Sequence, residues 1–329
     1  MERKQYPVQG ILAAAGLLIL ILDSTLALEG ARAGIDLCIR TVIPSLFPFF
    51  VLSMILTNTL TGWNCTAVRT AAKLLGIPGN AVSVLIPAVL GGYPVGAKCV
   101  ADLFYRQMIN RQEAERMLAF CSNAGPSFLF GMVSGFFPEQ KMVWLLWAIH
   151  LFSAALTAAV IPAGIAQNHP QQQKPDHREH SVILPAARAM GLVCCWVILF
   201  RIIIYFLDAW FFWLLPIWLR VFLMGILELA NGCCGLMLVT DVGLRFLLCS
   251  CMLAFGGICV LFQTVSVTKG LSVSSYLKGK LLQTLFSFLL SLCVAAERGT
   301  LMAAAIIPVL MILLKKTKNK YGNPRPSSV

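Results

Sequence analysis

The sequence predicts an all-α polytopic membrane protein, built as two inverted repeats with re-entrant helical hairpins and broken helices. Three observations lead there. Of 329 residues, 58% are hydrophobic and 12% charged, against roughly 45–50% apolar and about 25% charged in soluble domains. Apolar runs at 8–28, 41–60, 117–137, 142–166, 182–206, 243–267 and 281–315 can each cross a hydrocarbon core, which takes about 20 residues. Two further runs, 80–97 and 220–240, are interrupted, and they stand in corresponding places on either side of a polar break. Short, Gly- or Pro-interrupted segments placed so in two halves point to a transporter site near the bilayer midplane.

The net charge of +12, from 26 Lys and Arg against 14 Asp and Glu, flanks or connects the apolar runs. It reads as positive-inside bias and not as a nucleic-acid surface. Arg3 and Lys4 precede the first run, and Lys315, Lys316, Lys318, Lys320 and Arg325 follow the last. Both termini are therefore expected in the cytoplasm, with an even number of crossings.

Taken in order, residues 1–34 hold an N-terminal transmembrane helix, too long for a secretory signal core. The first repeat, 35–166, opens on Cys38-Ile-Arg-Thr-Val-Ile-Pro-Ser-Leu-Phe-Pro48, continues through a hairpin at 80–107 and then a broken helix at 112–137. Gln167 to His180, rich in Gln, Pro and mixed charge, is an exposed linker within 167–181. The second repeat, 182–296, follows the same order, with a hairpin at 218–240 and a broken helix at 243–267. A transmembrane segment at 297–315 and a basic cytoplasmic tail at 316–329 close the chain.

Non-helical backbone survives in a membrane only where protein or a water-filled cavity satisfies its N–H and C=O groups. In Leu90-Gly-Gly-Tyr-Pro-Val-Gly-Ala-Lys98, Gly91 and Gly92 allow positive φ, and Pro94 suits a helix start. Gly91, Gly92, Tyr93 and Pro94 thus form a hairpin tip. The arm that follows points its N-terminus, with free N–H groups, at an anionic ligand. Lys98 either adds to that preference or snorkels to the headgroups.

Cys121-Ser-Asn-Ala-Gly-Pro-Ser127 breaks the next span, because Pro126 leaves the Ser122 carbonyl without its helical donor. Ser122, Asn123 and Gly125 then face a cavity, or the polar side chains bond neighbouring helices across a kink. In the second half Glu228 lies in an apolar stretch, with Asn231 on nearly the same helical face and Asn231-Gly232 as the turn. A carboxylate at that depth marks a functional site, either a coupling group or the partner of Arg188, Arg201 or Lys98. Gly256, Gly257 and Gln263 line the opposite wall. Arg201 with Asp208, and Asp241 with Arg245, read as structural pairs.

Other groups are assigned blander roles. Arg106, Asn110, Arg111, Glu113, Glu115 and Arg116 form a solvated connection. Twelve cysteines without a C-x-x-C read as apolar packing residues. His177 and His180 sit in the linker, and His150 stands alone near the end of a span. No metal site, cofactor or enzyme motif is expected.

The motifs Gly91-Gly-Tyr-Pro-Val-Gly-Ala-Lys98, Phe120-Cys-Ser-Asn-Ala-Gly-Pro-Ser-Phe128, Gly225-Ile-Leu-Glu-Leu-Ala-Asn-Gly232 and Ala254-Phe-Gly-Gly-Ile-Cys-Val-Leu-Phe-Gln263, in this order over 35–295, resemble the YlbJ (SpoVV) family of sporulation integral membrane proteins. That family is placed in the nucleoside-recognition or Gate-domain group, whose fold is similar to that of concentrative nucleoside transporters. The resemblance implies a carrier of dipicolinic acid across the outer forespore membrane of a spore-forming bacterium. It implies substrate-binding roles for the tip and break residues named above. A Gln/Glu pair that reads the nucleoside in those transporters is replaced here by Gly-Gly-Tyr-Pro. A small anionic substrate and the lipid bilayer are the expected partners, with no nucleic acid; a homo-oligomer and the coupling ion are left open. A non-transporting spore-envelope morphogenetic protein and a nucleoside transporter are the alternatives.

Overall fold

The computed structural model describes residues 6–60, 65–162 and 182–295. The linker at 167–181, the segment at 297–315 and the tail at 316–329 lie outside the described residues, as do the basic residues that place the termini. Every regular element among the described residues is helical. Five helices are long and apolar enough to cross a membrane, namely Ser24–Leu52, Gln140–Val160, Ile183–Trp210, Val242–Val267 and Ser274–Ala295. The chain is an all-α, multi-pass membrane protein.

Helix α1 (Tyr6–Leu22) ends at Asp23, whose side chain accepts from the Leu26 amide at 3.0 Å and caps α2 (Ser24–Leu37). A π-helical turn over Cys38–Val42 carries the chain into α3 (Ile43–Leu60), ahead of Pro44, which has no N–H to donate. Two spans at 8–28 and 41–60 are expected from the apolar runs; among the described residues the helix long and apolar enough to cross is Ser24–Leu52, and Ala13–Leu22 is a shorter apolar helix before it. Helix α2 is one-sided. Glu29, Arg32, Asp36 and Arg40 stay exposed on the outer face of α2, while Gly30, Gly34 and Cys38 are buried at a spacing of four. A Cβ on Gly30 would meet Ile202 Cα at 2.9 Å, and one on Gly34 would meet Ile198 Cα at 2.9 Å. This is the small-xxx-small contact of membrane helices, made against α10 (Ile183–Trp210).

After α4 (Thr66–Leu74) the chain turns by 107° into Gly79–Leu90, a 3₁₀ segment followed by α5 (Leu85–Leu90). The tip at Gly91 to Pro94 leads into α6 (Val95–Tyr105). The arms are antiparallel, since a Cβ on Gly96 would lie 3.3 Å from Ala88 Cα across the tip. Of the two tip glycines only Gly92 takes positive φ, at 70°.

Helix α7 (Arg111–Leu118) is followed by an unwound stretch to Gly125, and Pro126 opens α8 (Pro126–Gly131) at its first position. Helix α9 (Gln140–Val160) completes the first half.

In the second half α10 is followed by α11 (Ile217–Leu227) and α12 (Leu229–Gly235), which fold back on each other. A Cβ on Gly232 would lie 2.1 Å from Gly225 Cα, and one on Gly235 would meet Val221 at 3.2 Å. The reversal is at Glu228 (φ −146°, ψ 120°), and Asn231-Gly232 lies inside α12. The expected turn at Asn231-Gly232 is therefore displaced by three residues, because Gly232 is needed as the small residue that lets the two arms touch.

Helix α13 (Val242–Phe255) stops at Gly256 and Gly257, with φ of 83° and 90°, and α14 (Ile258–Val267) continues the span. Helix α15 (Ser274–Ala295) packs against both α13 and α9. Each half thus holds a pair of helices folded back on each other, followed by two helices separated by a glycine break.

Candidate functional site

Breaking a helix frees backbone carbonyls, and buried ones must find other donors. In the first broken helix the freed carbonyl is that of Ser122, and its donor is the ammonium of Lys280 on α15. In the second it is Leu253, whose carbonyl accepts from the Tyr93 hydroxyl at 3.0 Å. Tyr93 in turn accepts from Lys280 Nζ at 3.1 Å. The tip of the first hairpin, both broken helices and α15 are therefore held by one pair of side chains.

The network continues through amides. Lys280 donates to Gln283 Oε1 at 2.8 Å; Gln283 Nε2 donates to Asn123 Oδ1 at 3.0 Å and to the His150 carbonyl at 3.3 Å. Asn123 Nδ2 donates to the carbonyls of Phe120 (2.8 Å) and Ala88 (3.4 Å), so it ties the break to the hairpin. His150 Nε2 accepts the Ala124 amide at 3.0 Å. His150 is thus central to the first break and not alone at a span end. Lys280 and Gln283 are both 0% exposed. Gly279, beside Lys280, lets α15 approach, for a Cβ there would fall 2.2 Å from the Ala119 carbonyl oxygen.

Each hairpin tip also meets the break of its own half through glycine. A Cβ on Gly125 would lie 2.9 Å from Gly92 Cα, and one on Gly257 would lie 3.2 Å from the Gly225 carbonyl and 3.3 Å from the Leu229 amide. Gly256 faces the Tyr93 ring, with a hypothetical Cβ 3.0 Å from it.

A second buried group surrounds Glu228. Its carboxylate caps α12, accepting from the amides of Ala230 (3.1 Å) and Asn231 (2.8 Å) and from Asn231 Nδ2 (2.7 Å). Arg201 donates to Asn231 Oδ1 and lies 5.2 Å from the Tyr205 ring centroid. Of the three cations expected near Glu228, the structure brings up Arg201, with Asn231 between them. An anionic N-cap also suits the positive end of the helix it opens.

Other expected residues are placed apart. Lys98 is half-buried on α6, one turn from Asp102; the lysine at the tip is Lys280. Gln263 is buried on α14, where its amide donates to Cys259 Sγ at 3.3 Å. The expected pairs are replaced: Asp208 binds Arg220 at 2.6 Å, Asp241 caps α13 through Leu244 N, and Arg245 donates to the carbonyls of Val239 and Phe136.

The connection at 106–116 is only partly solvated. Asn110 and Glu113 form a capping box, and Arg116, 7% exposed, donates to the carbonyls of Leu75, Gly76, Ala158 and Ile161. All twelve cysteines are free thiols.

Sequence reasoning missed Lys280 because Lys278-Gly-Lys280 sits at the edge of the run taken to begin at 281, where lysines ordinarily mark headgroups. The signal that could have found it is Gln283, three residues on and on the same helical face.

The fold and this site define a polytopic membrane protein with paired helix breaks around a buried polar centre. Over 131 residues the chain is 35% identical to the sporulation integral membrane protein YlbJ of Bacillus subtilis (strain 168), a match covering 37% of this chain and 31% of that protein. The likeness to YlbJ lies in that part of the chain, and the chain spans about a third of the length of the curated relative it matches. No family model and no solved structure matches it.

Proposed function

We propose that the protein is a sporulation membrane transporter, moving dipicolinic acid or a similar small carboxylate from the mother cell across the outer forespore membrane. Its two halves act as inverted repeats that alternate access to a midplane site, as in the Gate-domain group. The observation that carries this reading is the meeting of two helix breaks and a hairpin tip at one buried polar cluster, since irregular backbone at membrane depth belongs to substrate and ion pathways.

The helix arms support an anionic cargo. Helices α6 and α14 begin at the tip and at the break, and a helix N-terminus presents N–H groups and partial positive charge. A dianion such as dipicolinate suits those ends better than a neutral nucleoside does. The sporulation context is supported by the likeness to YlbJ.

Deleting the gene in a spore former and measuring dipicolinate in spores and mother cells tests the proposal. Expected is dipicolinate retained in the mother cell and missing from the spore, restored by the wild type and not by Asn123→Ala inserted at the same level. Normal spore dipicolinate in the deletion, with no redundant carrier, overturns it. Full rescue by Asn123→Ala favours a morphogenetic role without cargo, and competition of uptake by nucleosides favours a nucleoside carrier.

A further inference from the structure

We infer that the ammonium of Lys280 is a built-in cation, filling the seat that a coupling metal ion would need where the first broken helix meets the first hairpin, so that the protein works without sodium. The group has three N–H donors, and each is matched by a neutral oxygen: the Ser122 carbonyl freed by the break, the Tyr93 hydroxyl and the Gln283 amide oxygen. Carbonyl, hydroxyl and amide oxygens are the hard donors that hold alkali and alkaline-earth ions, and unwound carbonyls serve this purpose in transporters with broken helices. The ring of Tyr276 adds to it, with its centroid 5.8 Å from Nζ.

Two further observations separate a resident cation from a substrate anchor. No carboxylate among the described residues forms an ion pair with Lys280, so its charge is met by dipoles, as a bound ion's would be. With all three donors spent, the ammonium has none to offer a carboxylate cargo. The absence of a Cβ at Gly279 brings the side chain close enough to reach the break from α15.

The role of this cation in coupling rests on the transport reading given above; its occupancy of the seat is read from stability and can fail separately. Purified protein in detergent is melted in sodium chloride and in choline chloride at equal ionic strength. Wild type is expected to melt within about 1 °C in the two salts, because no seat is open. Lys280→Ala is expected to melt about 5 °C or more below wild type in choline, and to regain at least half of that loss, saturably, with sodium or methylammonium. Lys280→Met, which fills the space without charge, is expected to lose stability and regain none.

A saturable rise of more than about 2 °C for wild type in sodium overturns the inference, and this arm needs no variant to fold. So does a Lys280→Ala protein as stable as wild type, or one that no small cation restores.

Discussion

At Gly96 a Cβ would fall 1.8 Å from the Cys121 carbonyl oxygen, closer than any side chain can sit to backbone. Nothing flexible stands there to move aside. Gly96→Ala is therefore expected to lower stability by about 3 kcal/mol through overpacking, read as a fall in melting temperature of the purified protein; Gly79→Ala, where a Cβ meets nothing within 4 Å, should change it little. At the same scale the sequence shows half of each interaction. Pro126 announces that the Ser122 carbonyl needs a donor, but the donor comes from 158 residues away, and one sequence carries no sign of such a partner. Glu228 is legible as a buried carboxylate; its use as a helix cap is not, because Asn231-Gly232 is the stronger local turn signal and the contact of Gly232 with Gly225 across the hairpin overrides it.

Caps and clamps decide how the short elements hold together. Arg116 joins carbonyls at the C-terminal ends of α4 and α9, and Arg245 joins Val239 and Phe136, at the ends of two 3₁₀ turns. Each sits in the first helix of a broken pair and gathers chain ends from elsewhere. Replacing Arg116 by Met is expected to cost about 3 kcal/mol, since several charge-assisted bonds are lost and buried carbonyls are left bare; faster proteolysis between 75 and 79 and a lower melting temperature would register it. The long apolar spans and both breaks were legible from hydropathy, glycine and proline. Helix α2 was not, because its exposed charges interrupt the apolar run while its buried face is written in Gly30 and Gly34, which a hydropathy window scores as neutral.

For the whole molecule the decisive contact is Tyr93, which links the hairpin of one half to the broken helix of the other and to Lys280. Tyr93→Phe keeps the ring and removes both hydrogen bonds, so it is expected to cost only about 1–2 kcal/mol while uncoupling the halves. In the sporulation assay it should lower spore dipicolinate at unchanged protein level; undiminished spore dipicolinate would count against a functional role for this contact. The glycine and proline breaks in both halves were readable from one chain. The meeting of the halves was not, for it depends on three-dimensional approach of segments that share little residue identity.

The glycine seam at Gly92 with Gly125, where a Cβ on either residue would meet only backbone, has a mechanical meaning. Interdigitated side chains act as teeth, and shifting them requires rotamer changes and voids. Bare backbone against bare backbone has no teeth. The first hairpin therefore rests on its break as on a smooth bearing, where sliding forfeits little packing, while the grip that stops the slide is confined to the few polar side chains beside it.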